Sequence, residues 1–304
     1  MTAINSTLSC RLLCAAECAY DIQPNLPFVK RQPYYDNMGL LADPAIITGG
    51  IDAIDAALVG INDYGIIVAF RGTLPPLPPI TISILMDWLQ DFIVMPEQVT
   101  GFPGTIHTGF HVAFKNLWPG VLHGIQTLRT SHPNAKIYIA GHSKGGALAS
   151  LCAWQLQQQQ LPGQNLTPTQ VVTFASPHTG NVEFAKIYNA TLSQIRYENY
   201  LDIVPFIPPE IELLALLEKI PDLSKKLAGA ENWNYAPVGA LQYIQENGAI
   251  EPDHAGLGAK RIDASLLDIL TGRVAEVANA HSLVKYPLGY CRSVCADNLC
   301  QGNT

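Results

Sequence analysis

The sequence predicts an α/β protein with one central, mostly parallel twisted sheet flanked by helices. Three observations point there. Apolar strand-like runs alternate with helical ones along most of the chain. One strand-like run, Lys-Ile-Tyr-Ile-Ala at 136–140, leads straight into Gly141-His142-Ser143-Lys144-Gly145-Gly146, and an Ala-rich helical stretch follows. The 304 residues suffice for one such sheet with a full core, and folds of this kind often exceed about 250 residues undivided. Residues 1–304 are therefore read as a single domain.

The elements follow in order. Residues 8–20 form an amphipathic helix docked on the domain. The apolar patch at 12–16 lacks an early basic flank and is broken by Glu17, so it does not read as a signal peptide. The expected location is cytoplasmic, with non-classical secretion left open. Residues 57–61 and 65–71 run apolar around Asn62-Asp63, which marks a hairpin. The Pro-rich segment 75–79 is a loop inside the domain. Residues 110–130 are helical, with Pro119 either a break or a first-turn position. The central strand at 136–140 and the helix at 144–160 come next, the latter ending in a solvated Gln tract. A strand at 170–175, a helix at 182–189 and a strand at 195–201 continue the alternation. Residues 209–227 are an apolar helical stretch, 241–244 an edge strand, and 265–280 a helical run.

The chemistry starts at Gly141-x-Ser143-x-Gly145. A strand entering this motif and a helix leaving it make a nucleophile elbow. The turn is too sharp for a Cβ two residues before or after the serine. Ser143 then stands at the helix N-terminus; an ordinary glycine-rich turn is the competing reading. A nucleophilic serine needs a base, and the base needs an orienting carboxylate. In elbow proteins the carboxylate and then the histidine follow the serine in the chain. Of eight histidines, only His254 and His281 lie late enough. His254 sits in a turn-like loop, and His281 follows a helical run. Among carboxylates Asp202 stands out, because it ends a strand-like run at the rim where ligands collect in such sheets. Asp253 and Asp263 lie in loops.

Several segments, in this order, resemble the class 3 lipase family, the fungal-type α/β-hydrolase lipases. They are Phe70-Arg71-Gly72-Thr73, Asp87-Trp88-Leu89-Gln90-Asp91, Ile106-His107-Thr108-Gly109-Phe110, the elbow at 141–149, Thr173-Phe174-Ala175-Ser176-Pro177 with Gly180-Asn181, the stretch 199–205 and the stretch 281–286. The resemblance covers roughly residues 65–290. It implies a triad of Ser143, Asp202 and His281. It also implies an oxyanion hole in which the backbone N–H of Thr73 joins that of Lys144, the latter expected from elbow geometry. Asp91 is expected to orient the Thr73 hydroxyl. The implied activity is hydrolysis of lipid acyl esters through an acyl-enzyme, with transient contact at a lipid surface and no metal or organic cofactor. Alternatives are a soluble esterase or thioesterase of the same class, and a non-catalytic lipid- or protein-binding scaffold.

Two departures stand out. Better-known members carry Leu where this chain has Lys144, which is expected to point to water or to meet an anionic substrate group. The stretch 74–86 is inserted between Thr73 and Trp88, in the region where the family carries its lid. It is a candidate lid, as is 209–227.

Composition excludes other classes. Formal net charge is −7, which offers no basic stripe for nucleic acid. Charged residues are only 14% and mean hydropathy is slightly positive, consistent with a large buried fraction and some apolar surface. No run reaches the ~18 apolar residues of a membrane span. The seven cysteines are an odd count, which argues for mostly reduced, buried thiols. The resemblance implies instead a disulfide tying the N-terminal helix to the C-terminus. A metal site is the weakest reading, since the spacing matches no common ligand set.

Overall fold

The computed structural model describes residues 6–74, 92–159, 165–209, 214, 229–255, 257, 273–295 and 297–300. Twelve strands fall among them. They are β1 (Ala45–Gly49), β2 (Asp55–Ile61), β3 (Ile66–Phe70), β4 (Pro96–Gln98), β5 (Thr105–His107), β6 (Ile137–His142), β7 (Gln170–Phe174), β8 (Gly180–Asn181), β9 (Gln194–Asn199), β10 (Tyr235–Ala236), β11 (Ala240–Ile244) and β12 (Ile250–Pro252). The main sheet runs β1-β2-β3-β6-β7-β9-β11-β12. Its interior from β3 to β11 is parallel, and β1, β2 and β12 pair antiparallel at its two sides. A small second sheet runs β10-β8-β5-β4.

The apolar runs of β2, β3 and β6 are buried along their whole length, as interior strands covered on both faces must be. Side-chain alternation divides them between two cores. Ile66, Val68 and Phe70 join the core under α2 (Thr108–Ser131) and α3 (Lys144–Gln158), whereas Ile67 and Ala69 join the core under α1 (Leu8–Cys18). Two further helices are α4 (Val182–Thr191) and α5 (Val274–His281).

The hairpin expected at 57–71 is β2–β3, closed by paired Asn62 and Gly65 backbone bonds. Helix α2 runs unbroken through Pro119, so the expected break is absent; tertiary packing keeps a helix that has lost one backbone bond. The strand at 241–244 is not an edge, because β12 covers it. Helix α1 is more deeply set than an amphipathic surface helix, with every residue from Cys10 to Cys18 buried. Thr7 caps it, its hydroxyl accepting from the Cys10 N–H at 3.2 Å. Among the described residues no helix is long and apolar enough to cross a membrane. The candidate lid, apart from Leu74, lies outside the described residues, as does 209–227 apart from Pro209 and Leu214.

Two disulfides, Cys10–Cys295 and Cys291–Cys300, overturn the expectation of mostly reduced thiols. The first ties α1 to the C-terminal segment, as the family resemblance implied. Cys14, Cys18 and Cys152 are free and buried. The Cys10, Cys14 and Cys295 sulfurs lie within 4.8 Å of one another, but two of them are bonded together and cannot act as thiolate ligands.

Replacing both Cys10 and Cys295 by Ser should lower stability by about 2–4 kcal/mol, since the bond closes most of the chain into one loop. Thermal melts with and without reductant check this. With both in reductant, where Cys291–Cys300 is open in each, wild type should fall to the level of the double variant, and an unchanged melting temperature would contradict the structural role.

Candidate functional site

Parallel register sets the site. Phe70 of β3 is level with Gly141 of β6, and Gly141 with Thr173 of β7. The chain segments leaving the C-terminal ends of these strands therefore meet at one edge, where open α/β sheets place ligands. At that edge Ser143 adopts φ 55° and ψ −132°, a left-handed conformation costly for a side-chain-bearing residue. Its N–H donates to the Phe174 carbonyl at 2.9 Å, and its carbonyl accepts from the Gly146 N–H at 2.8 Å. A Cβ on Gly141 would lie 2.0 Å from the Gly145 carbonyl oxygen, and one on Gly145 would lie 2.2 Å from that of Phe70. Both glycines are obligatory at this turn. The Ser143 Oγ is buried and has no hydrogen-bond partner among the described residues.

Asp202 follows β9 by one turn and is fully buried. Its Oδ1 and Oδ2 each lie 3.0 Å from Nδ1 of His281, the last residue of α5. Oδ1 also accepts from the Val204 N–H at 3.0 Å, and Oδ2 from the Tyr290 hydroxyl at 2.6 Å. Burial pushes the Asp202 carboxyl up. The neighbouring His281 and these hydrogen bonds outweigh it and hold the carboxyl below its ordinary value. Asn199 fastens the two segments together, its side-chain amide donating to the Ala280 carbonyl at 2.9 Å and the Leu288 carbonyl at 2.6 Å.

A second histidine lies against the first. The rings of His142 and His281 are 4.7 Å apart. His142 Nε2 is 2.7 Å from the His281 carbonyl oxygen, which can only accept. Nε2 therefore carries the proton, and Nδ1 accepts from the Tyr20 hydroxyl at 2.7 Å. Burial, reinforced by the His281 charge, holds the His142 pKa down to about 3. His142 is thus a fixed neutral support.

Thr73 stands beside the elbow, because a Cβ on the preceding Gly72 would lie 2.9 Å from the Ser143 Cβ and 2.6 Å from the His142 carbonyl oxygen. It lines two clefts. One of about 350 Å³ contains His281 and His142 with the charged trio Glu17, Asp21 and Arg31. The other, about 560 Å³, contains Lys144, Asp55, Asn116 and the apolar Phe92, Phe110 and Val112. A larger cleft of about 770 Å³ lies by Lys136, at the opposite end of β6 from Ser143.

Other expectations fare differently. Lys144 does not point to water. Its ammonium lies 2.8 Å from Oδ1 of the buried Asp55, which compensates a cation in a helix's first turn. His254 is exposed and faces Glu251 at 3.7 Å, and Asp253 is exposed in the same segment. Asp91 and Asp263 lie outside the described residues. Tyr290, Tyr20 and Asp55 were not singled out by the sequence. Their partners are so distant along the chain that no local pattern marks them.

The fold is that of the α/β-hydrolases. The chain is similar to a solved triacylglycerol lipase, described as having a serine protease triad at its catalytic centre, at 21% identity and TM-score 0.59, covering 86% of this chain and 90% of that one. A lipase structure from Rhizopus microsporus var. chinensis matches at 19% identity and TM-score 0.62, covering 89% and 87%. Residues 67–212 match the family described as lipase (class 3). A Caenorhabditis elegans lipase is 32% identical over 67% of this chain and 56% of its own length. The Rhizomucor miehei lipase is 28% identical over 49% and 39%. A secreted mono- and diacylglycerol lipase of Fusarium solani is 26% identical over 55% and 48%. The chain is thus similar to class 3 lipases, through residues 67–212 and through these named relatives. It spans about half the length of the curated relatives it matches.

These relatives correct the expected cytoplasmic location. The proteins of Fusarium solani and Penicillium cyclopium are named as secreted lipases, and the two disulfides are of a kind that persists in oxidising compartments. The expectation rests on the apolar patch at 12–16, which lacks an early basic flank and is broken by Glu17.

Stability should depend on pH through two buried histidines. His107 caps α2, Nδ1 accepting from the Phe110 N–H and Nε2 donating to the Phe92 carbonyl, both at 3.2 Å. Burial lowers its pKa to about 4. Unfolded histidine titrates near 6.5, so below that pH the unfolded chain binds protons that folded His107 and His142 refuse. Their contribution is complete above pH ~6.5 and is lost as pH falls toward 4 and 3. Urea midpoints from pH 7.5 to 4.5 should fall with a slope that shrinks by about two protons in His107→Gln/His142→Gln. An unchanged slope would contradict the burial argument.

Proposed function

We propose that this protein is a serine carboxylic-ester hydrolase of the lipase type, acting on acyl esters of lipids. The observation that carries the reading is the His281–Asp202 pair, with both carboxylate oxygens 3.0 Å from Nδ1, at the sheet edge where Ser143 occupies its strained turn. Ser143 Oγ attacks the acyl carbon while His281 Nε2 takes its proton. Asp202 keeps the proton on Nδ1 and stabilises the imidazolium. The tetrahedral oxyanion is held by the backbone N–H groups of Lys144 and Thr73. Collapse expels the alcohol, protonated by His281. Water activated by the same imidazole then releases the acid and frees Ser143.

The lipid substrate is supported by relatives named as lipases of mono- and diacylglycerols. It is also supported by apolar side chains lining the cleft beside Lys144: Ile51, Ile54 and Val112 are all more than half exposed. Such a rim suits transient contact with a lipid surface.

Turnover of p-nitrophenyl esters from short to long chain, below and above micelle formation, tests the reading. Long-chain esters should be preferred and faster above micelle formation; a short-chain preference without that rise would favour a soluble esterase. Ser143→Ala should lose roughly four to six orders of magnitude in rate with the fold intact. His281→Ala should lose nearly as much, and the double variant little more, because the two act as a unit. His254→Ala should stay within a few-fold of wild type. An active Ser143→Ala variant would remove the claim.

A further inference from the structure

Lys144 occupies the position where the family resemblance leads one to expect leucine, and its ammonium reaches Asp55 Oδ1 at 2.8 Å. Both side chains are shielded, at 16% and 5% exposure. Such a pair does not average over rotamers as a surface ion pair does. Asp55 is held independently, its Oδ2 accepting from the Asn116 amide on α2 at 3.2 Å.

Asp55 opens β2, and its two neighbours hold the other side of the site. The Ala56 carbonyl accepts from the Arg71 N–H at 2.9 Å. The Ile54 carbonyl accepts from the Arg71 guanidinium, which also donates to the Ile22 carbonyl. Arg71 lies two residues before Thr73. The same three residues, 54–56, therefore anchor Lys144 through Asp55 and the Thr73 segment through Arg71.

We propose that the Lys144–Asp55 ion pair is a strap that sets the oxyanion hole, fixing the separation between the backbone N–H groups of Lys144 and Thr73. This rests on the reading of Ser143 as nucleophile. Lys144 and Asp55 are here positioning residues; the ammonium is turned to Asp55 and does not itself meet the oxyanion. The hole demands donors within a few tenths of an ångström of where negative charge develops. Leucine at this position could make no ion pair with Asp55, so the strap is a device that Lys144 brings for holding the first turn of α3.

The consequence is confined to the transition state, because the oxyanion exists only there. With a soluble short-chain p-nitrophenyl ester, Lys144→Met and Asp55→Asn should each lower kcat by about 10- to 100-fold. KM should stay within about three-fold, since ground-state binding does not use the hole. Affinity for an alkyl trifluoromethyl ketone, which adds to Ser143 as a hemiketal, should fall by the same factor as kcat/KM. Lys144→Arg, which keeps the ion pair, should recover most of kcat. Should Asp55→Asn fail to fold, Lys144→Met decides alone, because methionine fills a similar volume.

The outcomes separate the two readings. Turnover that survives Ser143→Ala overturns the nucleophile and the strap together. Turnover lost in Ser143→Ala but unchanged kcat in Lys144→Met, even with a lower melting temperature, overturns the strap alone. So does a raised KM at constant kcat, which would make the pair a substrate-binding wall.

Discussion

One residue in a conformation that L-amino acids avoid organises this edge of the sheet. Ser143 sits at φ 55°, ψ −132°, at a cost on the order of 1–3 kcal/mol. The cost is met by the surrounding structure. β6 is buried along its length, the Ser143 N–H is taken by Phe174, and Gly145 packs where a Cβ would strike β3. Relaxing the turn would break the seam between β6 and β7 or drive the start of α3 into β3. The level ends of β3, β6 and β7 bring Thr73 and the Phe174–Ala175 corner to the serine.

Around that fixed point, two adjacent histidines have different surroundings. His142 is enclosed, accepts from Tyr20 and donates to a carbonyl, and burial keeps it neutral with a pKa of about 3. His281 faces a carboxylate held ionised by a hydroxyl, a backbone N–H and the imidazole itself. The neutral ring fixes the His281 backbone through its carbonyl, and so holds the His281 imidazole against Asp202. Lys144 follows the same logic, since its charge is compensated by Asp55 before it can perturb the helix terminus.

What was legible in the sequence was local. The elbow can be read because the glycine–serine–glycine spacing, the strand before it and the helix after it are contiguous. Asp202 was legible as a carboxylate just past a strand, and His281 as the histidine after a late helical run. The supporting groups were not legible, because their partners lie far away in the chain: Tyr290 reaches Asp202 across 88 residues and Lys144 reaches Asp55 across 89. The short strands β4, β8 and β10 have too few residues for any periodicity. Pro119 misled because packing overrode a local rule. The cysteine count misled because parity says nothing about which thiols meet, and Cys10 meets Cys295 through the packing of α1 on the C-terminal segment.

The account stands on a covalent intermediate at Ser143, and trapping it is the most direct measurement. Acid quenching during turnover of a p-nitrophenyl ester, followed by mass spectrometry of the protein and its peptides, should show one acyl group per chain. That group should lie on the peptide containing Ser143 and disappear in the His281→Ala variant, which cannot form the adduct at a comparable rate. Turnover with no acyl-protein in the quenched sample of a slow-deacylating ester, or an acyl group on another residue, would contradict the account.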